Sequence, residues 1–170
     1  MKINYGGRVV FIFDKFVIKI PRLRFRRVIL DLLSDRDWFL VRLDLMMFHD
    51  SVKESWREFV QWYFQRNPYL APMILPFVFQ KLNGVGAIDA NAAYYELYEF
   101  RKGEDPVCAK LRQGLMEYDT GGISHTVKYP NNFALHDGRV YLLDYGADGL
   151  AKFLKKYGDE FFTYLAKWKL

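Results

Sequence analysis

The chain has 170 residues, 51% of them hydrophobic and 18% aromatic, with a net charge of +5. That length suits one domain able to bury roughly two-thirds of its unfolded surface, and the composition excludes a disordered chain. No apolar run approaches the ~18 residues of a membrane span, no signal-peptide pattern opens the chain, and the lone cysteine, Cys108, excludes an internal disulfide and fits a reducing cytoplasm.

Residues 8–13 read as a strand, Asp14-Lys15 as a tight turn, and residues 16–20 as a second strand closed by Pro21. A basic cluster follows, Arg22, Arg24, Arg26 and Arg27. It reads first as a solvated helix start and second as a surface for an acidic partner, nucleic acid or phosphate. It lacks the interleaved aromatic platforms and motifs of nucleic-acid binders. Phe25, Val28, Ile29, Leu32 and Leu33 recur at helical spacing, and a denser apolar run continues to residue 48. Ser51, with Glu54 three residues on, predicts a new helix start, and Asn67-Pro68 marks its end after about Gln65.

Residues 77–82 and 92–100 read as extended segments separated by Asn83-Gly84-Val85-Gly86. The charged run 101–106 ends them, and a helix is expected over 106–118. Residues 123–135 read as a loop entering a short strand, His136-Asp137-Gly138 as a turn, and 139–143 as the returning strand. A final amphipathic helix is expected over 150–168, with Phe153, Leu154, Tyr157, Phe161, Tyr164, Leu165 and Trp168 on its buried side. The order of elements predicts an α+β fold.

The chemistry is concentrated in His125-Thr-Val-Lys-Tyr-Pro-Asn-Asn132 and in Asp144-Tyr145-Gly146 beyond it. An Asn carbonyl and an Asp carboxylate at the two ends of a short hairpin are hard oxygen ligands suited to Mg²⁺ in phosphoryl transfer. On these residues the chain resembles the protein kinase superfamily, including its branch that phosphorylates aminoglycosides and other small molecules. His125, Pro130 and Asn132 fall on the positions of that family's catalytic loop, and Asp144-Tyr145-Gly146 resembles its Asp-Phe-Gly element. Lys19 in Val17-Ile18-Lys19 resembles the strand lysine that contacts nucleotide phosphates. Glu58 resembles that lysine's helix partner, with Glu54 one turn earlier a lesser candidate. Tyr98-Glu99-Phe100 resembles the hinge whose backbone meets adenine, and Gly6 and Gly7 stand where the phosphate-covering loop would turn.

The resemblance implies one kinase-like domain over residues 1–170. Residues 1–100 would be a small antiparallel-sheet N-lobe and 101–170 a truncated helical C-lobe. It implies ATP and Mg²⁺ as ligands, with Lys19 and Glu58 in the catalytic machinery, Gly6, Gly7, Lys19, Glu99 and Phe100 toward nucleotide, and Asn132 and Asp144 toward metal. Four departures qualify it. Val127 occupies the position of the catalytic aspartate and can neither orient nor deprotonate a hydroxyl. The glycine loop is eroded, with Lys2 and Asn4 where earlier glycines belong, and the first strand is expected to be short or missing. Few residues follow Gly146, leaving little room for an activation segment. The stretch between Lys19 and Glu58 is long enough for an additional helix. Asp119 and His125, the candidate replacement bases, read instead as a helix-end turn residue and a structural histidine. The expectation is therefore a pseudokinase that binds nucleotide weakly and works through a protein partner. The alternatives are a phosphotransferase or nucleotidyltransferase with a non-standard base, and a basic module for an acidic partner. No membrane role is implied.

Overall fold

The computed structural model describes residues 1–33, 38–99 and 104–170. The chain divides into two units, one of Met1–Phe59 with Met73–Lys81 and one of Val60–Pro72 with Leu82–Leu170. Both strands and helices are present, in an α+β arrangement.

The first unit is built on a five-stranded antiparallel sheet in the order β1-β2-β3-β5-β4. Its strands are β1 (Lys2–Tyr5), β2 (Arg8–Ile12), β3 (Phe16–Pro21), β4 (Met73–Leu75) and β5 (Val78–Gln80). β1 is short, four residues, and pairs residue for residue from Lys2↔Ile12 to Tyr5↔Val9. β4, which the sequence did not announce, is three residues long and carries an irregular register against β5. Between β3 and β4 lie α1 (Phe25–Leu33) and α2 (Trp38–Gln65). α1 is the additional helix expected between Lys19 and Glu58.

Ser51 does not start a helix. α2 runs unbroken through it for 28 residues, about 42 Å at 1.5 Å per residue. No Gly or Pro interrupts residues 38–50, so the capping pattern at Ser51 is overridden by uninterrupted helix formers. The Ser51 hydroxyl donates instead to Gly7 O at 3.4 Å, and its carbonyl accepts from the Ser55 hydroxyl at 2.9 Å. The helix stops where Arg66 turns to a left-handed φ of 45°, two residues before Pro68.

The second unit holds α3 (Ala90–Tyr98), α4 (Pro106–Tyr118), α5 (Gly122–Lys128), a two-stranded sheet of β6 (Phe133–His136) and β7 (Arg139–Leu142), and α6 (Leu150–Leu165). Segment 92–100, expected to be extended, is largely the helix α3. Asp89 caps it by accepting from Ala92 N at 3.0 Å, and Ala90, Ala92 and Ala93 are the strongest helix formers. Its tyrosines suggest a strand in isolation, yet Tyr94 and Tyr98 stack one helical turn apart at 4.4 Å. Consequently the chain leaves the sheet-bearing unit at Lys81 rather than near residue 100. Arg112, anchored in α4, closes the far end of α3 by donating to the carbonyls of Glu96, Leu97 and Glu99.

The expected helix at 106–118 is α4, opened by Asp105 and Pro106. α6 buries Phe153, Leu154, Tyr157, Phe161, Tyr164 and Leu165 as its periodicity predicts, while residues 166–168 form a separate 3-10 turn. Cys108 is free and buried. Among the described residues no helix is long and apolar enough to cross a membrane.

Candidate functional site

Within the sheet-bearing unit, strand register decides which side chains face α2. Val10 pairs with Lys19, so Arg8, Val10 and Lys19 share one face of the sheet. The same face carries Val17, paired with Phe79, and Phe79 is only 3% exposed. Against it α2 presents Glu58, 1% exposed. Lys19 Nζ lies 3.5 Å from Glu58 Oε1 and 4.6 Å from the centre of the Phe79 ring. Arg8 Nη1 donates to Glu58 Oε2 at 2.6 Å, closer than the lysine.

Sequence reasoning anticipated Lys19 beside Glu58 and missed Arg8. Its signal was alternation, since Arg8 lies two residues from Val10 on a strand whose register with Lys19 the hairpin fixes. A buried carboxylate is costly unless paired. Here two cations share it. Gly6 and Gly7 form the β1–β2 turn, closed by Gly6 N donating to Arg8 O at 3.0 Å. Neither has a positive φ, and a Cβ on Gly7 would meet nothing within 4 Å, so this turn does not require glycine.

Within the second unit, Asp137-Gly138 closes the β6–β7 hairpin with φ values of 49° and 75°, the signature of a type I′ turn. The pairing Phe133↔Leu142 is extended by Leu143 N donating to Asn132 O at 2.7 Å. That bond sets Asn132 across from Leu143, so its backbone lies one residue out of step with Asp144. The Asn132 amide nitrogen donates to Thr126 O at 2.8 Å, which leaves Oδ1 as the acceptor end of the side chain. Tyr145 is fully buried and donates to Ala71 O at 3.1 Å, pinning the chain immediately after Asp144. Both edges of the hairpin are covered. Val85 bridges Ala134 on one side and Leu70 bridges Leu142 on the other. Gly84 makes the first approach possible. Its φ is 68°, and a Cβ there would sit 2.3 Å from Leu135 O.

Three expectations are corrected. Segment 123–135 is not a loop throughout: it begins inside α5, continues as a 3-10 turn over Pro130–Asn132 and enters β6. Val127 therefore lies inside α5, 2% exposed, and does not line an approach for a substrate hydroxyl. Glu99 does not end a strand. It is the C-cap of α3, and Phe100 lies outside the described residues. A hinge at Glu99 and Phe100 thus loses the strand that would carry it.

Asp119 explains why α5 forms. Its carboxylate accepts from Gly121 N (2.7 Å), Ile123 N (2.9 Å), Ser124 N (2.7 Å) and the Tyr98 hydroxyl (3.0 Å). Burial alone would raise its pKa, but the hydrogen bonds from Ser124, Gly121 and Ile123 outweigh this and hold it below the usual aspartate value. Burial first, and the Asp119 charge second, push the Tyr98 phenol upward. A carboxylate so occupied is an anchor and not a base. His125 is exposed on α5, with its ring edge-on to Tyr129 at 4.9 Å.

Among the described residues no three His, Cys, Asp or Glu side chains gather as a metal cluster. Mg²⁺ does not need one, since it is held by one or two protein oxygens with water and phosphate completing its shell. Asn132 and Asp144 carry oxygens of that kind on backbone positions one residue out of step. Comparison of the chain with protein-family models, with curated proteins and with solved structures gives no match.

Proposed function

We propose that the chain is a kinase-like nucleotide-binding domain with impaired phosphoryl transfer, acting through a protein partner. The observation that carries this reading is the buried Glu58 paired with Lys19, on a helix that follows the third strand. In protein kinases a lysine of the third strand pairs with a helix glutamate in the same way and meets the nucleotide phosphates. Glu58 orients Lys19, and Arg8 shares that carboxylate with it. The hairpin that carries Asn132 at its entry and Asp144 at its exit supports a metal-holding role for those two. Bound Mg²⁺ would offset the charge on the phosphate oxygens. Asn132 would contribute a neutral oxygen from an amide whose nitrogen donates to Thr126 O, and Asp144 would contribute a charged one.

Val127, buried and unable to accept a proton, supports the impairment. So does the satisfied state of Asp119. The basic module for an acidic partner draws less support, because Arg24 and Arg27 lie 3.9 and 3.4 Å from the buried Asp44. The test is thermal unfolding with Mg-ATP. At ten times its dissociation constant a ligand adds about 1.4 kcal/mol, which raises the midpoint of a chain this size by roughly 3–6 °C. We expect such a shift at millimolar Mg-ATP, lost in Asp144→Ala and in Lys19→Met, with no labelled phosphate moved to generic protein substrates. No shift at all sinks the nucleotide reading. Robust transfer that disappears in Asp144→Ala establishes an active phosphotransferase instead.

A further inference from the structure

The first half of α2 is apolar on nearly every side. Trp38 is 80% exposed, Met46 52%, Leu45 48% and Met47 44%. Only Val41 and Asp44 of residues 38–50 are buried. At the end of α1 that precedes it, Leu33 is 79% exposed. A helix apolar all round belongs inside a larger core, and an aqueous patch beyond ~300–600 Å² marks a contact surface. Aromatic side chains carry ~150–250 Å² each. Trp38, Leu45 and Met46, which share one side of α2, expose on the order of 400 Å², a patch of contact-surface size. A shallow groove of ≈ 460 Å³ runs along this face, lined by Trp38, Val41, Arg42, Leu45, Met46 and His49.

We propose that this face binds a second copy of the chain, with the two α2 helices antiparallel about Met46. The charges flanking Met46 select that occupant. Arg42 and Asp50 are exposed, of opposite sign, and lie four residues either side of Met46. In an antiparallel pair crossing at Met46, Arg42 of each copy meets Asp50 of the other. This is the self-complementarity a two-fold interface demands. An anionic lipid surface would call for unpaired arginines and no acid. Instead Arg24 and Arg27 are paired with Asp44, and Asp50 stands on the face itself.

Sedimentation equilibrium of the full chain tests this. We expect twice the 20.2 kDa monomer mass at micromolar concentration. Met46→Glu, which sets two carboxylates face to face at the axis, should weaken association at least ~100-fold. Arg42→Glu and Asp50→Arg should each weaken it ~10-fold or more, and the two combined should restore it. Circular dichroism checks that each variant folds. Should Met46→Glu unfold, the charge swap and its rescue still decide the question. The proposal is overturned by a wild-type chain that stays monomeric, by a dimer indifferent to Met46→Glu, or by a double swap that does not restore association. It is equally overturned by a monomeric chain that co-sediments with phosphatidylcholine–phosphatidylserine vesicles, which would make this a membrane-facing surface.

Discussion

α2 and α6 are both rich in apolar residues, yet they distribute them in opposite ways. α6 buries Leu150, Phe153, Leu154, Tyr157, Phe161 and Phe162 among others, and turns Lys152, Lys155 and Lys156 to solvent. In α2 the buried residues are Val41, Asp44, Ser55, Glu58 and Gln61, whereas Trp38, Met46, Trp56 and Phe64 are half or more exposed. Exposed leucines and buried phenylalanines need no explanation in a folded protein; buried polar groups and contiguous exposed apolar ones do. α6 is shaped by packing. α2 is shaped by what its side chains hold and meet: Glu58 by Arg8 and Lys19, Asp44 by Arg24 and Arg27, and its outer face by a second copy.

The contrast is broken or sharpened first by truncation. Phe161 is fully buried, so Phe161→Ala should cost about 3–5 kcal/mol and lower the unfolding midpoint by roughly 6–20 °C. Leu45→Ala, measured at dilutions where association is absent, should stay within about 0.5 kcal/mol of wild type. Equal losses would mean that α2 packs as α6 does. Glu58→Ala is the next largest effect. Breaking a buried ion pair costs about 3–5 kcal/mol. Arg8 and Lys19 keep 10% and 13% of their side chains in water, which places the loss nearer about 2–3 kcal/mol. Urea unfolding measures it. A variant as stable as wild type would show that the two cations are hydrated without Glu58, and the orienting role given to that carboxylate would fall.

Legibility in the sequence followed the same division. α6 and α4 were readable because burial and periodicity agree there, and the β2–β3 and β6–β7 hairpins because Asp-Lys and Asp-Gly mark their turns. Lys19 and Glu58 were readable as a pair through motif, but Arg8 was not, since only strand register puts it on their face. The sequence divides α2 at Ser51 because its apolar residues follow no single stripe, so a capping pattern outweighs the helix around it. α3 reads as a strand in sequence because its tyrosines count toward β-structure until Asp89 caps the turn before them. α5 reads as a loop for a related reason. What makes it a helix is the Asp119 carboxylate, which the sequence offers only as an acid before two glycines.

That carboxylate supplies the smallest test and a second contrast, because Asp119 is held by amides and a phenol where Glu58 is held by cations. Removing a capping acid costs about 1–2 kcal/mol, so Asp119→Ala should lower the unfolding midpoint by roughly 2–8 °C at neutral pH. The hydrogen bonds from Ser124, Gly121 and Ile123 overcome the effect of burial and keep its folded pKa below the ordinary aspartate value. The folded state therefore favours the ionised form more than the unfolded state does. The stabilisation is fully present above about pH 4, the unfolded value. It is lost as pH falls through the depressed folded pKa. The stability difference between wild type and Asp119→Ala should thus be constant from neutral pH down to about pH 5 and should shrink below about pH 4. Asp119→Asn keeps one acceptor oxygen and no charge, so its deficit should be smaller than that of alanine. Urea unfolding at a series of pH values reads both variants. A difference that does not shrink in acid would mean that the carboxylate acts at α5 by shape alone, leaving its charge without a part in the cap.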